Sequence, residues 1–353
     1  MSAPRIAIVT SMRDEGPNLL HWIAHHRAAG VTDFLVFTND CADGTEALLD
    51  RLAAAGILTH IRNAVPQGRT PQWAALRQAR GHPALAGAEW IAALDCDEYV
   101  NLRAPLGSLG DLVRAVGAAD AIVLPWRLFG HAGRATRAEA PPTEAFDRAI
   151  PADALYPALC RFFKTLYRAA GPFTGPGVHR PRQVKGASPA WVDGSGRGLP
   201  DEFARSGRIM LWGGPLATDL VQLNHYSVRS AEEFVAKSAR GLPNHTDKPV
   251  DLTYWVERNF NTVADASIAR MAPATAAEHA RLKALPGVAE AEAAARDWHA
   301  RAFAAAMTDP AAVKLFGRLI LAGGSTAPPE AVARQLVALY GRAAQGGGGA
   351  LSG

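Results

Sequence analysis

Over the first hundred residues, short apolar runs alternate with stretches in which apolar positions recur every three or four residues. The runs Ile6 to Thr10, Phe34 to Thr38, Ile57 to Ile61 and Trp90 to Leu94 have the length and residue types of buried strands. Between them, Asn18 to Ala29 places Leu19, Leu20, Ile23 and Ala24 on one helical face and closes at Gly30. Thr45 to Ala55 stops at Gly56, and Pro71 to Arg80 carries proline in its first turn. This alternation predicts an α/β fold with a mostly parallel sheet. Crossovers between parallel strands are right-handed, so the strands' carboxyl ends share one rim, where open α/β sheets bind ligands.

Further on, Ala121 to Pro125, Ile209 to Trp212 and Leu220 to Asn224 read as strands and Ala231 to Arg240 as a helix. The section from 130 to 215 is rich in Gly and Pro and has little periodicity, as segments that build binding surfaces often do. Beyond Leu252 the pattern is helical and Ala-rich, including Ala274 to Leu285 and Ala289 to Met307. The expected organisation is an α/β domain over 1–245, a helical C-terminal extension over 246–344 and a disordered tail over 345–353, which contains four consecutive glycines.

Charge adds little to this picture. Lys and Arg total 37 against 33 acids, and a net +4 spread over 353 residues does not mark a nucleic-acid binder. With 31 of the cations Arg and 71 residues Ala, clusters of Arg reflect compositional bias first. The three cysteines, Cys41, Cys96 and Cys160, have no CxxC spacing, which argues against a disulfide framework or a zinc cage and fits a reducing cytoplasm. The apolar run near the N-terminus, Ile6 to Val9, is too short for a secretory leader, and no stretch reaches the length of a membrane span. Peripheral contact with a membrane surface stays open.

The strongest chemical pattern is Asp95-Cys96-Asp97-Glu98, directly after the strand Trp90 to Leu94. Side chains alternate along extended chain, so Asp95 and Asp97 point the same way, toward the ligand rim. Paired oxygen ligands suit Mn²⁺ or Mg²⁺, which shares its shell with substrate phosphates. The plainer reading is a pair of helix-capping or ion-paired acids. A second acidic turn, Asn39 to Thr45, opens a helix: Asp43 or Thr45 reads as its N-cap and Gly44 as the source of an unusual backbone angle. Asp40 falls on the same rim as Asp95. There is no GxGxxG after the first strand and no GxxxxGK[ST] anywhere, so dinucleotide and P-loop cradles are absent.

Taken together, Ser11 to Glu15, Leu19 to His26, Asn39 to Thr45, Trp90 to Tyr99 and the later Leu223 to Ser230 with Glu232, Glu233, Phe234, Lys237, Arg240 and Gly241 resemble the family 2-like and family 92-like glycosyltransferases. The resemblance covers about residues 5 to 265 and departs at His21, where those proteins carry an acid. It implies a GT-A-like fold and transfer of a sugar from a nucleotide-sugar donor, UDP-linked, to a glycan, lipid or protein acceptor, with inversion. It further implies metal binding by Asp95 and Asp97 with His225 as a third ligand, and donor binding by Asp40, Asp95, Lys237 and Arg240. Lys237 and Arg240 are three apart on the expected helix and share a face, as a solvated basic face also would. His225 could equally be a hydrogen-bonded core residue.

An inverting transfer needs a base beside the acceptor hydroxyl. Asp201 and Glu202 are the nearest catalytic candidates, although loop solvation is the plainer reading of both. Asp193 reads as a turn residue, and His179 as structural or as part of the acceptor cleft. His21 and His25 have the i, i+4 spacing of a zinc protease pair, but Trp22 stands where that chemistry needs Glu. A phosphatase of the haloacid dehalogenase type would begin its sheet with the Asp-x-Asp strand, which here comes late. A non-catalytic carbohydrate- or nucleotide-binding module is the alternative from another class.

Overall fold

A computed structural model describes residues 3–211, 216–240 and 250–346. Its main sheet contains β1 (Ile6–Met12), β2 (Asp33–Thr38), β3 (Thr59–Arg62), β4 (Trp90–Ala93), β5 (Glu98–Leu102), β6 (Ala121–Leu128), β7 (Phe163–Arg168), β8 (Trp191–Val192) and β9 (Val221–His225). The strand order is β3-β2-β1-β4-β7-β6-β9-β5, with β8 also paired to β6. All run the same way except β7 and β5, which are antiparallel to their neighbours. The mostly parallel α/β sheet expected from the pattern is therefore present. Three of its members, β5, β7 and the two-residue β8, fall outside the strands expected from the pattern. The strand expected at Ile209 to Trp212 is reduced to a single bridge between Met210 and Phe162, with Trp212 outside the described residues.

Helices α1 (Gly16–Ala28), α2 (Thr45–Ala54), α3 (Pro71–Gln78) and α4 (Leu109–Val116) follow the early strands. Then come α5 (Ala231–Arg240), α6 (Leu252–Arg258) and the C-terminal helices α7 (Ala272–Lys283), α8 (Val288–Ala306), α9 (Pro310–Ala322) and α10 (Glu330–Gly346). The last helix runs two residues into the segment expected to be disordered, and 347–353 lie outside the described residues. Leu282 and Val288 of the C-terminal helices belong to the same hydrophobic core as Leu19 and Ile23. Each fully buried aliphatic chain of this kind contributes roughly 1.5–3 kcal/mol.

The α1 helix is buried nearly all round because it lies between the sheet and the C-terminal helices. Gly16 is forced by that approach: a Cβ there would lie 2.5 Å from the Cβ of Ala295 on α8. Asp43 ties the same junction together. Its Oδ1 accepts from the Thr45 amide at 2.8 Å, while Oδ2 accepts from the Gly16 amide at 3.0 Å and from His299 Nε2 at 2.9 Å. One carboxylate thereby serves the amino ends of two helices, where the helix dipole favours negative charge. The N-cap position of α2 falls on Gly44, at φ +90°, between the two residues expected to cap.

β5 ends the sheet, so one of its edges would be bare. Side chains of α1 cover it: Trp22 Nε1 donates to the Glu98 carbonyl at 2.8 Å, His25 Nε2 donates to the Val100 carbonyl at 2.7 Å, and His26 Nε2 accepts the Val100 amide at 3.4 Å. The Trp22, His25 and His26 cluster is thus an edge cover in the sense of strand protection. Burial holds these rings neutral, with His25 lowered to about 4 and His21 beside them to about 3. Asp193 is the expected turn residue, its Oδ1 accepting the amides of Ser195 and Arg197.

Candidate functional site

The carboxyl ends of β4, β6 and β9 and the amino end of the reversed β7 meet at one edge of the sheet. They open into a cleft of about 1930 Å³, lined at this end by Asp95, Asp97, Trp126, His179, His225 and Lys237. Asp95 lies two residues past the end of β4. Its Oδ1 accepts from Gln72 Nε2 at 2.7 Å, and its Oδ2 from Lys164 Nζ at 2.9 Å. Lys164 sits at the start of β7, 1% exposed, and also lies 3.6 Å from Glu98 Oε2. Glu98 folds back onto the turn, accepting the Asp95 amide at 2.8 Å. Its full burial, partly offset by Lys164, pushes its carboxyl well above the usual range, whereas Lys164 is raised because its acidic neighbours outweigh desolvation.

Asp97 is held from the other side. Lys237 Nζ donates to its Oδ2 at 3.0 Å and to the Ser227 carbonyl at 2.8 Å, and His225 Nε2 lies 3.4 Å from its Oδ1. Burial opposes the Asp97 charge, but Lys237, His225 and Arg229 outweigh it and keep the carboxyl well below the ordinary value. His225 ends β9 and packs on Trp126 with ring centroids 4.2 Å apart. Burial lowers its titration despite Asp97, and its Nδ1 is buried without a hydrogen-bond partner.

Of the residues singled out from the sequence, the structure therefore gathers Asp95, Asp97, His225 and Lys237 in one place. Arg240 ends α5, and its side chain lies outside the described residues. Asp40 lies at the carboxyl end of β2 as expected, in a left-handed conformation at φ +51°, but is exposed and does not line the cleft. Asp201 and Glu202 occupy a short exposed helix, Asp201–Arg205, where Glu202 pairs with Arg205 at 3.1 Å, and neither lines the cleft. His179 does line it. Its Nδ1 faces the Phe163 carbonyl at 2.8 Å, so that nitrogen carries the proton and Nε2 keeps a lone pair. Burial lowers His179 to about 4. His21 and His25 are buried in the helical core, far in role from a zinc pair.

Lys164 and Gln72 were missed from the sequence. The run Phe162 to Arg168 does carry the aromatic and β-branched content of a strand, and that was the available sign of β7. Nothing local marked its lysine as a partner of Asp95.

Among the described residues, no group of three or more His, Cys, Asp or Glu side chains is arranged to hold a metal ion. The donor types nevertheless fit Mn²⁺ or Mg²⁺, ions that take one or two carboxylates and fill their shell with substrate phosphates and water rather than a protein cage. Asp95, Asp97 and His225, which all line the cleft, supply donors of that kind. No helix among the described residues is long and apolar enough to cross a membrane.

No protein-family model matches the chain, and no curated protein matches it. Among solved structures it is similar to TarS of S. aureus, at 18% identity over 38% of this chain and 23% of that one, with a TM-score of 0.27. A second TarS structure, of residues 1–349, aligns over 80% of this chain and 74% of that one at 12% identity and a TM-score of 0.31. Glucosyl-3-phosphoglycerate synthase from Mycobacterium tuberculosis, in complex with phosphoglyceric acid, aligns at 18% identity over 35% of this chain and 44% of that one, with a TM-score of 0.25. The chain spans about a quarter of the length of the first of these and under half of the last. Likenesses this partial carry no argument about substrate or mechanism, and the fold rests on its own strand order.

Proposed function

We propose that the chain is a glycosyltransferase that moves a sugar from a nucleotide-sugar donor, UDP-linked, to an acceptor in the cleft, with Mn²⁺ or Mg²⁺ as cofactor. The observation that carries this reading is the convergence of Asp95, Asp97, His225 and Lys237, from three separate elements, on the carboxyl edge of an α/β sheet beside a large cleft. Asp97 and His225 would hold the metal, with Asp95 facing it. When bound, the metal neutralises charge on the departing nucleoside diphosphate. Lys237 adds positive charge for the same phosphates, and Trp126 offers a flat apolar wall for a sugar or base.

His179 meets the need for a base better than Asp201 and Glu202, because it lines the cleft and its Nε2 is fixed as an acceptor. An acceptor hydroxyl deprotonated there would invert the anomeric centre by attacking it opposite the leaving diphosphate. The test is thermal melting with UDP, with and without Mn²⁺. The expected outcome is stabilisation by the pair that grows with concentration, is absent with either component alone, and is lost in Asp95→Ala/Asp97→Ala. Undiminished stabilisation of that double variant would refute the assignment. Hydrolysis of UDP-sugars by the wild type, slowed at least tenfold in His179→Gln, would identify the base.

A further inference from the structure

The large apolar side chains left exposed in this protein are concentrated on three helices. Among the described residues, Trp73 and Val184, both in the cleft, are the only exposed large apolar side chains outside α6, α9 and α10. The others are Val256 on α6, Val313, Ile320 and Leu321 on α9, and Val332, Leu339 and Tyr340 on α10. The inner side of α9 is already used, since Leu315, Phe316 and Leu319 pack in one cluster with Trp255 of α6. Val313 and Ile320 are seven residues apart, with Leu321 beside them at 88% exposure, so they form a second apolar stripe turned outward. Val332 and Leu339 repeat that spacing on α10. A helix that is apolar outside as well as inside is built for a surrounding other than water.

These helices adjoin beside the cleft. Trp255 Nε1 on α6 donates to the Gly323 carbonyl at the end of α9 at 3.0 Å, and Ser325 Oγ just beyond donates to the Val256 carbonyl at 2.6 Å. Tyr254 and Arg258 of α6 line the cleft, as do Val337 and Tyr340 of α10. Charge selects what this face meets. Between 310 and 346 the chain has four cations, Lys314, Arg318, Arg334 and Arg342, and one acid, Glu330, which pairs with Arg334 at 2.6 Å. Two copies of so cationic a face would repel each other. An anionic phospholipid surface attracts the cations and takes the apolar side chains below its headgroups, as it does for helices that lie in the interface.

We infer that α6, α9 and α10 form a docking face for an anionic phospholipid membrane. Ile320 and Leu321 enter the acyl boundary, and Lys314, Arg318 and Arg342 meet the headgroups. Because α6 and α10 also wall the cleft, docking sets the cleft beside the bilayer, and a substrate carried on a lipid reaches it without leaving the membrane. The inference does not depend on the reaction assigned to the cleft.

The experiment is flotation of the full chain with vesicles of phosphatidylglycerol and phosphatidylcholine in equal parts, against vesicles of phosphatidylcholine alone. Wild type is expected to bind the mixed vesicles at least tenfold more tightly and to lose that preference at high salt. Ile320→Glu/Leu321→Glu alters two exposed positions, so it should melt like wild type while its vesicle affinity falls at least tenfold. Equal binding of wild type to both vesicles, or a loss below tenfold in the folded double variant, overturns the inference. If that variant unfolds, Leu321→Ser alone replaces it, with at least a threefold loss expected and a smaller loss overturning the inference. Absence of flotation, with a wild-type dimer in sedimentation velocity that Ile320→Glu/Leu321→Glu dissociates, would assign the face to a second copy and overturn the membrane assignment.

Discussion

Two regions of this protein bury ionisable groups, and they solve the same problem in opposite ways. At the cleft, Asp95 and Asp97 each pair with a lysine, and the pairing keeps the Asp97 carboxyl well below its ordinary value. On the far side of β5, His21, His25 and His26 are buried next to Tyr99 and held neutral, and His25 and His26 serve as hydrogen-bonding spacers between helix and strand edge. Burying an ionised group unpaired is expensive, so a group either finds a counterion or gives up its charge. The difference shows what each region is for. A paired charge can be released to a ligand that brings its own charge, while a neutral imidazole cannot be charged without opening the core.

That contrast can be broken by acid first. His25 and His21 titrate near 6.5 when exposed, but burial lowers them to about 4 and about 3 in the folded protein. The unfolded chain therefore takes up protons first. Stability is undisturbed by these groups above about pH 6.5, then falls by roughly 1.4 kcal/mol per pH unit for each histidine until its folded value is passed. Against an ordinary total of about 5–15 kcal/mol, urea unfolding between pH 7 and 4.5 should show a steep loss. His25→Gln should flatten that slope. An unchanged slope in that variant would show that the acid lability arises elsewhere.

Breaking the paired region should cost somewhat less. Lys164→Met leaves Asp95 and Glu98 facing an apolar side chain, and loss of one partner of a buried pair costs about 3–5 kcal/mol. Because burial already raises the Glu98 carboxyl and Lys164 is the cation that opposes this, protonation of Glu98 should let the variant recover part of its stability as pH falls from 7 to 5, the reverse of the histidine effect. Smaller again is Trp22→Phe, which keeps the ring but deprives the Glu98 carbonyl of its donor. Its expected cost is about 1–3 kcal/mol, read from the same urea curves, with UDP and Mn²⁺ binding retained. Least of all, Asp201→Ala/Glu202→Ala should alter donor hydrolysis by less than twofold, since both residues lie outside the cleft. A tenfold loss there would return the base to that helix.

Much of this was legible in the linear chain. The strands β1, β2 and β4 and the helices α1 to α3 carry their own periodicity and stop residues, so local patterning places them. The position of Asp95 and Asp97 just past the end of β4 was legible, but alternation along extended chain is not what places them: Cys96 and Asp97 lie in a turn closed by the Glu98 amide donating to the Asp95 carbonyl at 3.0 Å. His225 and Lys237 were legible only through their setting in a longer motif. The histidine spacing on α1 pointed at most to a zinc pair, because an edge-strand cover involves backbone groups that side-chain patterns do not reveal.

The sequence by itself thus determined the α/β class, the early element order, the helical C-terminal region and the presence of two carboxylates at a strand end. Only the tertiary structure decided which cations hold them. Lys164 is 69 residues from Asp95 along the chain, and Lys237 is 140 from Asp97. Helix and strand periodicity report on neighbours within a few residues, whereas pairing across such separations depends on the order and direction of strands in the sheet. The reversal of β7 turns its amino end to the rim and puts a lysine beside Asp95. A one-residue change in its register would carry that lysine to the other face.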